Sequence, residues 1–473
     1  MTTGRAVVIG AGIAGLLAAG VLAGQFGSVV VVDRDDLDDE ALPRAGVPQG
    51  RHTHLLLPGG LAALELLQPG VTEALLSRGG RRGDLQERVV MCVGPNRLAR
   101  GTCSADFVST SRGIVESSLR RFVGHQPGVE FRTATSVLDL TFTSDERRVT
   151  GIRLAARDGG PTEELSAALV VDASGRSSRT PEWLGRRGYA APEESQVRVD
   201  ERYVTRVFRQ PAEHDEGVLV IAQGGSVENP RSGIAAHQYG DVWSVSLSGY
   251  HGDQPARDLP GFRDFARSLD ASYLATFLET AQPLDEGASY RFVSNTRRHY
   301  ERLERFPGGL IVLGDAVCSL DPVKGQGMSL AALQAKILAG CLSQGTGRLA
   351  RRFFPAVAAL LGEPWAMAIA PELDRPGSGL HRNPLEAGFE RYLGALLRGA
   401  VHDPILAGAF LRTAALVAPA STLLNPRTVA RVLLGETARL RPRHTVSVAA
   451  RLAASVTDRP PHDAVSPTEE SPR

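Results

Sequence analysis

The segment Arg5-Ala6-Val7-Val8-Ile9-Gly10-Ala11-Gly12-Ile13-Ala14-Gly15 governs the reading of this chain. Arg5 to Gly10 is short, apolar and β-branched, the pattern of a buried strand. Ile13 to Phe26 carries alanine and leucine at helical spacing, and Ser28 to Asp33 is a second apolar strand. Strand, turn, helix and strand in that order form one unit of a parallel, doubly wound sheet. No residue from Ala6 to Val32 is charged, which imitates a membrane span. Glycines at 10, 12, 15, 20, 24 and 27 interrupt the run and favour the buried strand-helix-strand reading.

The three motif glycines have separate tasks. Gly10 allows the tight turn, and Gly12 lets a pyrophosphate reach the amides at the helix N-terminus. Gly15 lets helix and strand pack closely. Asp33 ends the second strand, 23 positions after Gly10, where a carboxylate can accept from a ribose 2′-hydroxyl. An acid there disfavours a 2′-phosphate. The expected ligand of this turn is a dinucleotide other than NADP.

Two further loops follow buried strands. Leu169-Val170-Val171 leads into Asp172-Ala173-Ser174-Gly175-Arg176. Leu310 to Leu313 leads into Gly314-Asp315-Ala316, then Pro322 and Gly325-Gln326-Gly327-Met328. Asp315 is placed to bond ribityl hydroxyls. The amides of Gly327 and Met328 can face the edge of a flavin ring, where charge gathers on reduction.

The rest of the chain sets bounds. Its 473 residues carry a formal net charge of +1, so no strong field favours nucleic acid or an anionic membrane. Arginine is scattered, and lysine occurs only at Lys324 and Lys336. Cys92, Cys103, Cys318 and Cys341 show no metal or disulfide spacing, which predicts reduced thiols and a cytoplasmic protein. His52 and His54 form an H-x-H pair without an evident third ligand, so no metal site is expected. Val197–Phe208, Gly217–Ala222, Gly233–Tyr239 and Val242–Ser248 read as strands of an inserted antiparallel sheet. Residues 351–435 read as mostly helical, and 458–473 as a disordered tail.

With these motifs in order, the chain resembles the group A flavoprotein monooxygenases, which share the para-hydroxybenzoate hydroxylase fold. Gly10, Gly12, Gly15 and Asp33 match the family's dinucleotide fingerprint. Asp172, Gly175 and Arg176 match one later motif, and Gly314, Asp315 and Pro322 the other. Val47-Pro48-Gln49-Gly50-Arg51-His52-Thr53-His54-Leu55-Leu56, Asn295, Arg297, Tyr300 and Glu363-Pro364-Trp365 resemble the polyether epoxidases that act on monensin and lasalocid precursors. The chain departs from those relatives at Asp321 and Lys324, where they carry Asn and Tyr, and around His237 and Gln238.

The resemblance implies an α/β fold: a Rossmann-like FAD-binding domain, an inserted antiparallel β-sheet substrate domain and a C-terminal helical region. The expected division is 1–85, 105–185 and 290–345 for FAD, 86–104 and 186–289 for substrate, and 346–457 for the helices. FAD contacts are expected at Gly10, Gly12, Ile13, Ala14, Gly15, Asp33, Arg34, Arg51, Arg112, Asp172, Gly175, Gly314, Asp315, Gly325, Gln326, Gly327 and Met328. Pro322 and Lys324 would border the flavin ring, and His54, His237 and Trp243 would line the substrate pocket. NAD(P)H would reduce the flavin, and dioxygen would give a C4a-hydroperoxyflavin as oxidant. A hydrophobic polyketide or terpenoid would be epoxidised or hydroxylated. Two alternatives remain open: a redox-silent cyclase that retains FAD, and an FAD-dependent dehydrogenase. No nucleic acid or integral membrane association is expected.

Overall fold

The computed structural model describes residues 2–37, 44, 46–157, 159–211, 217–226, 228–373 and 375–440. The expected tail, 458–473, lies outside the described residues, as do 441–457 of the helical region.

A five-stranded parallel sheet forms the first layer, with Leu310–Val312, Leu169–Asp172, Thr2–Ile9, Phe26–Val32 and Val129–Arg132 in that spatial order. Helices Ile13–Ala23, Arg112–Gly124 and Gly327–Leu342 lie on one face and share a core with Val8, Val31 and Val171. A three-stranded meander, Thr135–Phe142, Val149–Ala156 and Glu163–Ser166, covers the other face through Leu140, Ile152 and Leu165. The strands at the sheet centre are buried on both sides, which explains their uninterrupted apolar sequence.

The second layer is a nine-stranded sheet. Its long central strand Glu194–Arg209 pairs with Val242–Tyr250 on one side and Ala288–Arg298 on the other. Ser232–Tyr239, Val220–Gly224 and Val89–Val93 extend it outward. Side chains alternate between the two faces. Val204, Phe208, Trp243, Val245 and Leu247 point to the back, under helices Leu259–Arg267 and Tyr273–Thr280. The short strand Cys318–Ser319 closes the sheet beside Arg297 and Thr296. The sheet thereby hands the chain directly to the turn at Asp321.

Helix Leu349–Ile369 contains Pro355 and Pro364. The span 349–372 is long and apolar enough to cross a membrane by length and composition. Its Phe353, Phe354, Val357 and Leu361 are buried in the core of the first layer. Phe354 stacks on Tyr300 with ring centroids 5.2 Å apart. Helices Pro384–Ala400 and Pro404–Ala414 share a third core with Val89, Val220 and Ala236 of the second sheet. All four cysteines are free and buried.

Candidate functional site: a glycine-lined cleft between two sheets

The glycines of the three motifs divide into two sets. Gly10 has φ +100°, and a Cβ there would lie 2.6 Å from the Ala173 carbonyl oxygen of the second loop. A Cβ on Gly15 would run into the Gly10 carbonyl. Gly314 has φ +72°, and its Cβ would sit 2.8 Å from that of Ala14. These contacts lock the three loops together. Gly12 is different: its nearest foreign atom would be Arg44 Nη2, at 3.9 Å. Around Gly175, Gly325 and Gly327 a Cβ would meet nothing within 4 Å among the described residues. The second set therefore opens onto a cleft. Helix Ile13–Ala23 starts at Gly12, and helix Gly327–Leu342 follows Gln326, so two helix N-termini border it. Free amides there favour an anionic or electron-rich ligand.

Asp33 is buried and already engaged. Its carboxylate accepts from Ala11 N at 2.6 Å and Asp35 N at 2.9 Å, and it pairs with Arg44 at 3.2 Å. Arg44 also reaches Asp35 at 3.4 Å and Glu116 at 3.2 Å, and Glu116 holds Arg112 at 2.9 Å. Two arginines and three carboxylates thus form one cluster over the first glycine turn. Neither Arg44 nor Glu116 was expected from the sequence. Arg44 carries no positional signal in the sequence, and Glu116 reads as an ordinary helix residue four positions after Arg112. Arg34 and Arg51 are exposed beside this cluster.

Asp172 is fully buried and serves its own loop. It accepts from Ser174 N at 2.9 Å and from the hydroxyls of Ser174, Ser178 and Thr180 at 2.5, 2.5 and 2.6 Å. Its carboxylate shapes the Gly175-Arg176 turn from behind. Gln334, also missed in the sequence, plays the same part in the third loop by accepting from Gly314 N at 2.9 Å.

Asp315 and His54 are open to water on one side and enclosed by protein on the others. The enclosing protein pushes the Asp315 carboxyl above its ordinary range, against the pull of Arg112 and Arg176. The same enclosure, reinforced by Arg112, lowers His54 to about 3. Asp315, Arg112, Arg176 and His54, drawn from four separate segments, thus surround one recess. His52, two residues before His54, turns the opposite way. Its Nδ1 meets Thr205 Oγ1 at 2.7 Å, and its ring packs edge-on to Tyr203 at 4.5 Å. Burial lowers His52 to about 4. Thr53 joins the same sheet through Ser244 at 2.8 Å.

The sheet face toward the cleft carries Tyr203, Thr205, Ser244, Ser246, Ser248 and Tyr250 at alternate positions. The expectation for His237 and Trp243 is corrected here. Both occupy the opposite parity, and their rings meet edge-on behind the sheet, 6.1 Å apart. Trp243 is fully buried in the back core, where it packs against Phe277 and donates to Gln210 at 3.0 Å. The apolar lining on the front comes instead from Leu55, Met91, Ala222, Ile234, Phe389 and Phe410, where the helical region meets the sheet.

The turn after Ser319 completes the cleft. Asp321 N donates to the Asn295 side chain at 2.6 Å, its carboxylate caps Val323 N at 2.8 Å, and Tyr250 donates to it at 3.2 Å. Pro322, Val323 and Gly325 are exposed and Lys324 is half-buried, whereas Gln326 and Met328 point inward.

This geometry defines a dinucleotide-binding flavoprotein fold with an attached sheet domain. Residues 4–347 match the family described as FAD binding domain, and the chain belongs to that family. It is 32% identical over 427 residues to Protein Rv3254 of Mycobacterium tuberculosis, covering 86% of this chain and 88% of that protein. Among solved structures, 2-methyl-3-hydroxypyridine-5-carboxylic acid oxygenase superposes with a TM-score of 0.59 at 18% identity, covering 78% of this chain and 92% of that one. The Diels-Alderase PyrE3, from the biosynthetic pathway of pyrroindomycins, superposes with a TM-score of 0.58 at 18% identity, covering 88% and 81%. The protein thus has the fold of the group A flavin monooxygenases. The polyether-epoxidase resemblance is a finer reading than these likenesses reach.

Proposed function

We propose that this chain is an FAD-dependent monooxygenase that uses NAD(P)H and dioxygen to epoxidise or hydroxylate a lipophilic small molecule of the polyketide or terpenoid kind. One observation carries the reading. Two segments, 51–56 and 320–324, bridge the open glycine loops to the polar face of a sheet whose outer part is capped by apolar helices. A cofactor in the loops and a lipophilic molecule on the sheet would meet there.

The residues present fit FAD. Gly12, Gly175, Gly325 and Gly327 leave its path clear, and Asp315 is placed for a hydroxylated chain. Asp33 would meet the ribose after Arg44 withdraws, and Arg34, Arg51 and Arg112 lie within the same region. Bound FAD would supply hydride acceptance and oxygen transfer. The protein orients the substrate on the sheet, keeps His52 and His54 neutral, and excludes water with the helical cap. In this reading 1–85, 105–185 and 290–345 carry FAD, 86–104 and 186–289 carry substrate, and 346–457 form the cap. Lys324 lies close enough to Glu201 to lower its pKa, so part of its field is spent on that neighbour rather than on the flavin.

Turnover with labelled dioxygen tests the proposal. It predicts NAD(P)H consumption and one oxygen-18 atom in the product. A second reading, a cyclase that keeps FAD without redox turnover, draws support from the likeness to PyrE3 and from the charged Asp321-to-Lys324 turn. Product formation under strict anaerobiosis without a nicotinamide would replace the first reading with the second.

A further inference from the structure

Glu201 is a carboxyl buried without a matching cation. It stands on the cleft face of the central strand and is 0% exposed, and among the described residues neither carboxyl oxygen has a donor in bonding geometry. Its polar neighbours are the Asp321 carboxyl and Ser248, whose hydroxyl is bonded to Ser232 at 2.8 Å. Asp321 is itself 4% exposed. Two carboxylates buried side by side cannot both stay ionised, because each raises the cost of charge on the other. Burial first, and Asp321 second, push Glu201 well above the carboxylate range. Asp321 already accepts from Val323 N and Tyr250, whereas Glu201 has only the Asp321 carboxyl and Ser248 beside it.

The surrounding groups do not neutralise the pair. From the turn comes Lys324, near Glu201 but half-open to solvent. From the adjacent strand comes the Tyr250 hydroxyl, a neutral donor to Asp321. Glu372, from the turn Ala370–Glu372, is engaged by His251 at 2.9 Å and by Arg375 at 2.5 Å. Two residues along the same strand, the buried Tyr203 hydroxyl has no partner among the described residues, and Tyr203 and Tyr290 line an open cavity of about 450 Å³.

We propose that Glu201 and Asp321 share one proton and deliver it to a negative charge that develops on the molecule seated against the Asp321-Pro322-Val323-Lys324 turn. The inference rests on the reading that this turn borders bound FAD. The charge can arise on the cofactor when it is reduced, or on an oxygen of the substrate. In the step, the Glu201 O–H bond breaks and a new O–H or N–H bond forms on the ligand. The pair is left for the moment as two carboxylates, a state whose mutual repulsion draws a proton back from solvent. A carboxyl kept protonated by its surroundings can present an acid at neutral pH.

The test uses holoprotein of wild type, E201Q and D321N. Infrared spectra at pH 7 should show the carbonyl band of a protonated carboxyl in wild type. The band should be lost in E201Q, which lacks the acid, and in D321N, where an amide donor lets Glu201 ionise. Anaerobic photoreduction is the cofactor arm: reduced flavin should be neutral in wild type and anionic in E201Q. Titration of oxidised holoprotein with 4-nitrophenol is the substrate arm: the bound probe should be the colourless acid in wild type and the yellow anion in E201Q. A change in the first arm assigns the proton to the cofactor, and a change in the second assigns it to the substrate. No acid band in wild type, or identical behaviour of wild type and E201Q in both arms, overturns the proposal. Protein that holds the acid band but no FAD would contradict the functional reading instead and leave the shared proton standing.

Discussion

The two ends of the cleft bury carboxylates in opposite ways. At the first glycine turn, Asp33, Asp35 and Glu116 are each matched to Arg44, and Arg112 adds a second contact to Glu116. At the other end, Glu201 and Asp321 have each other, a tyrosine donor and a partly solvated lysine. The paired end holds charge with guanidinium forks, which suit carboxylates geometrically and remain charged. The unpaired end lowers its cost by keeping a proton. The first arrangement suits a site that an anionic diphosphate will enter, because Arg44 can exchange one set of anions for another. The second suits a site where charge appears and disappears.

The largest expected effect sharpens the structural side of this contrast. Gly15→Ala forces a methyl group against the Gly10 carbonyl, backbone against backbone. It should lower stability by roughly 3 kcal/mol or more, read by chemical denaturation. Unchanged stability would mean that the first turn is looser than described.

Arg44→Ala addresses the paired end directly. Removing the one cation shared by three carboxylates should cost about 3 kcal/mol, since the acids it leaves are nearly enclosed. Thermal unfolding with and without added FAD separates the two roles of the residue. A loss confined to FAD affinity would make Arg44 a ligand contact only.

A smaller effect concerns the bridge between the ends. His52 has its pKa lowered from 6.5 to about 4 by burial, with Arg51 adding to the shift. The unfolded chain therefore binds a proton between those values that the folded chain refuses. Stability should fall as pH drops through that window, by up to about 1.4 kcal/mol per pH unit from this residue. His52→Asn should flatten the slope. An unaltered slope would place the acid sensitivity elsewhere.

The glycine turns were legible in the sequence because a backbone position that tolerates no Cβ leaves a mark wherever it occurs. The parallel strands were legible for a similar reason: burial on both faces leaves an unbroken apolar run. The face assignment of the second sheet was readable in principle. Alternation along Val242–Tyr250 sends Trp243 to the same side as Val245 and Leu247, whereas the side of His237 follows from its pairing with Trp243. Helix Leu259–Arg267 also had a signal, with Asp258 accepting from Gly261 N at the cap and Phe262, Phe265, Ala266 and Leu269 at core spacing. Arg44 and Glu201 had none. Arg44 joins Asp33 and Asp35, about ten positions away, to Glu116, 72 positions away, and Glu201 meets Asp321 across 120 positions, pairings that a single sequence does not display.

The central claim is that the open glycine cleft holds FAD, and Gly12 offers its most direct test. Unlike Gly15, Gly12 has among the described residues only the Arg44 side chain within 4 Å of where a Cβ would sit, at 3.9 Å. Gly12→Val should therefore fold normally and lose the cofactor. Flavin absorbance per chain, measured after purification alongside a circular dichroism melt, should be near one in wild type and near zero in the variant, with the two melts alike once FAD is removed from wild type. Full flavin occupancy in folded Gly12→Val protein would contradict the account.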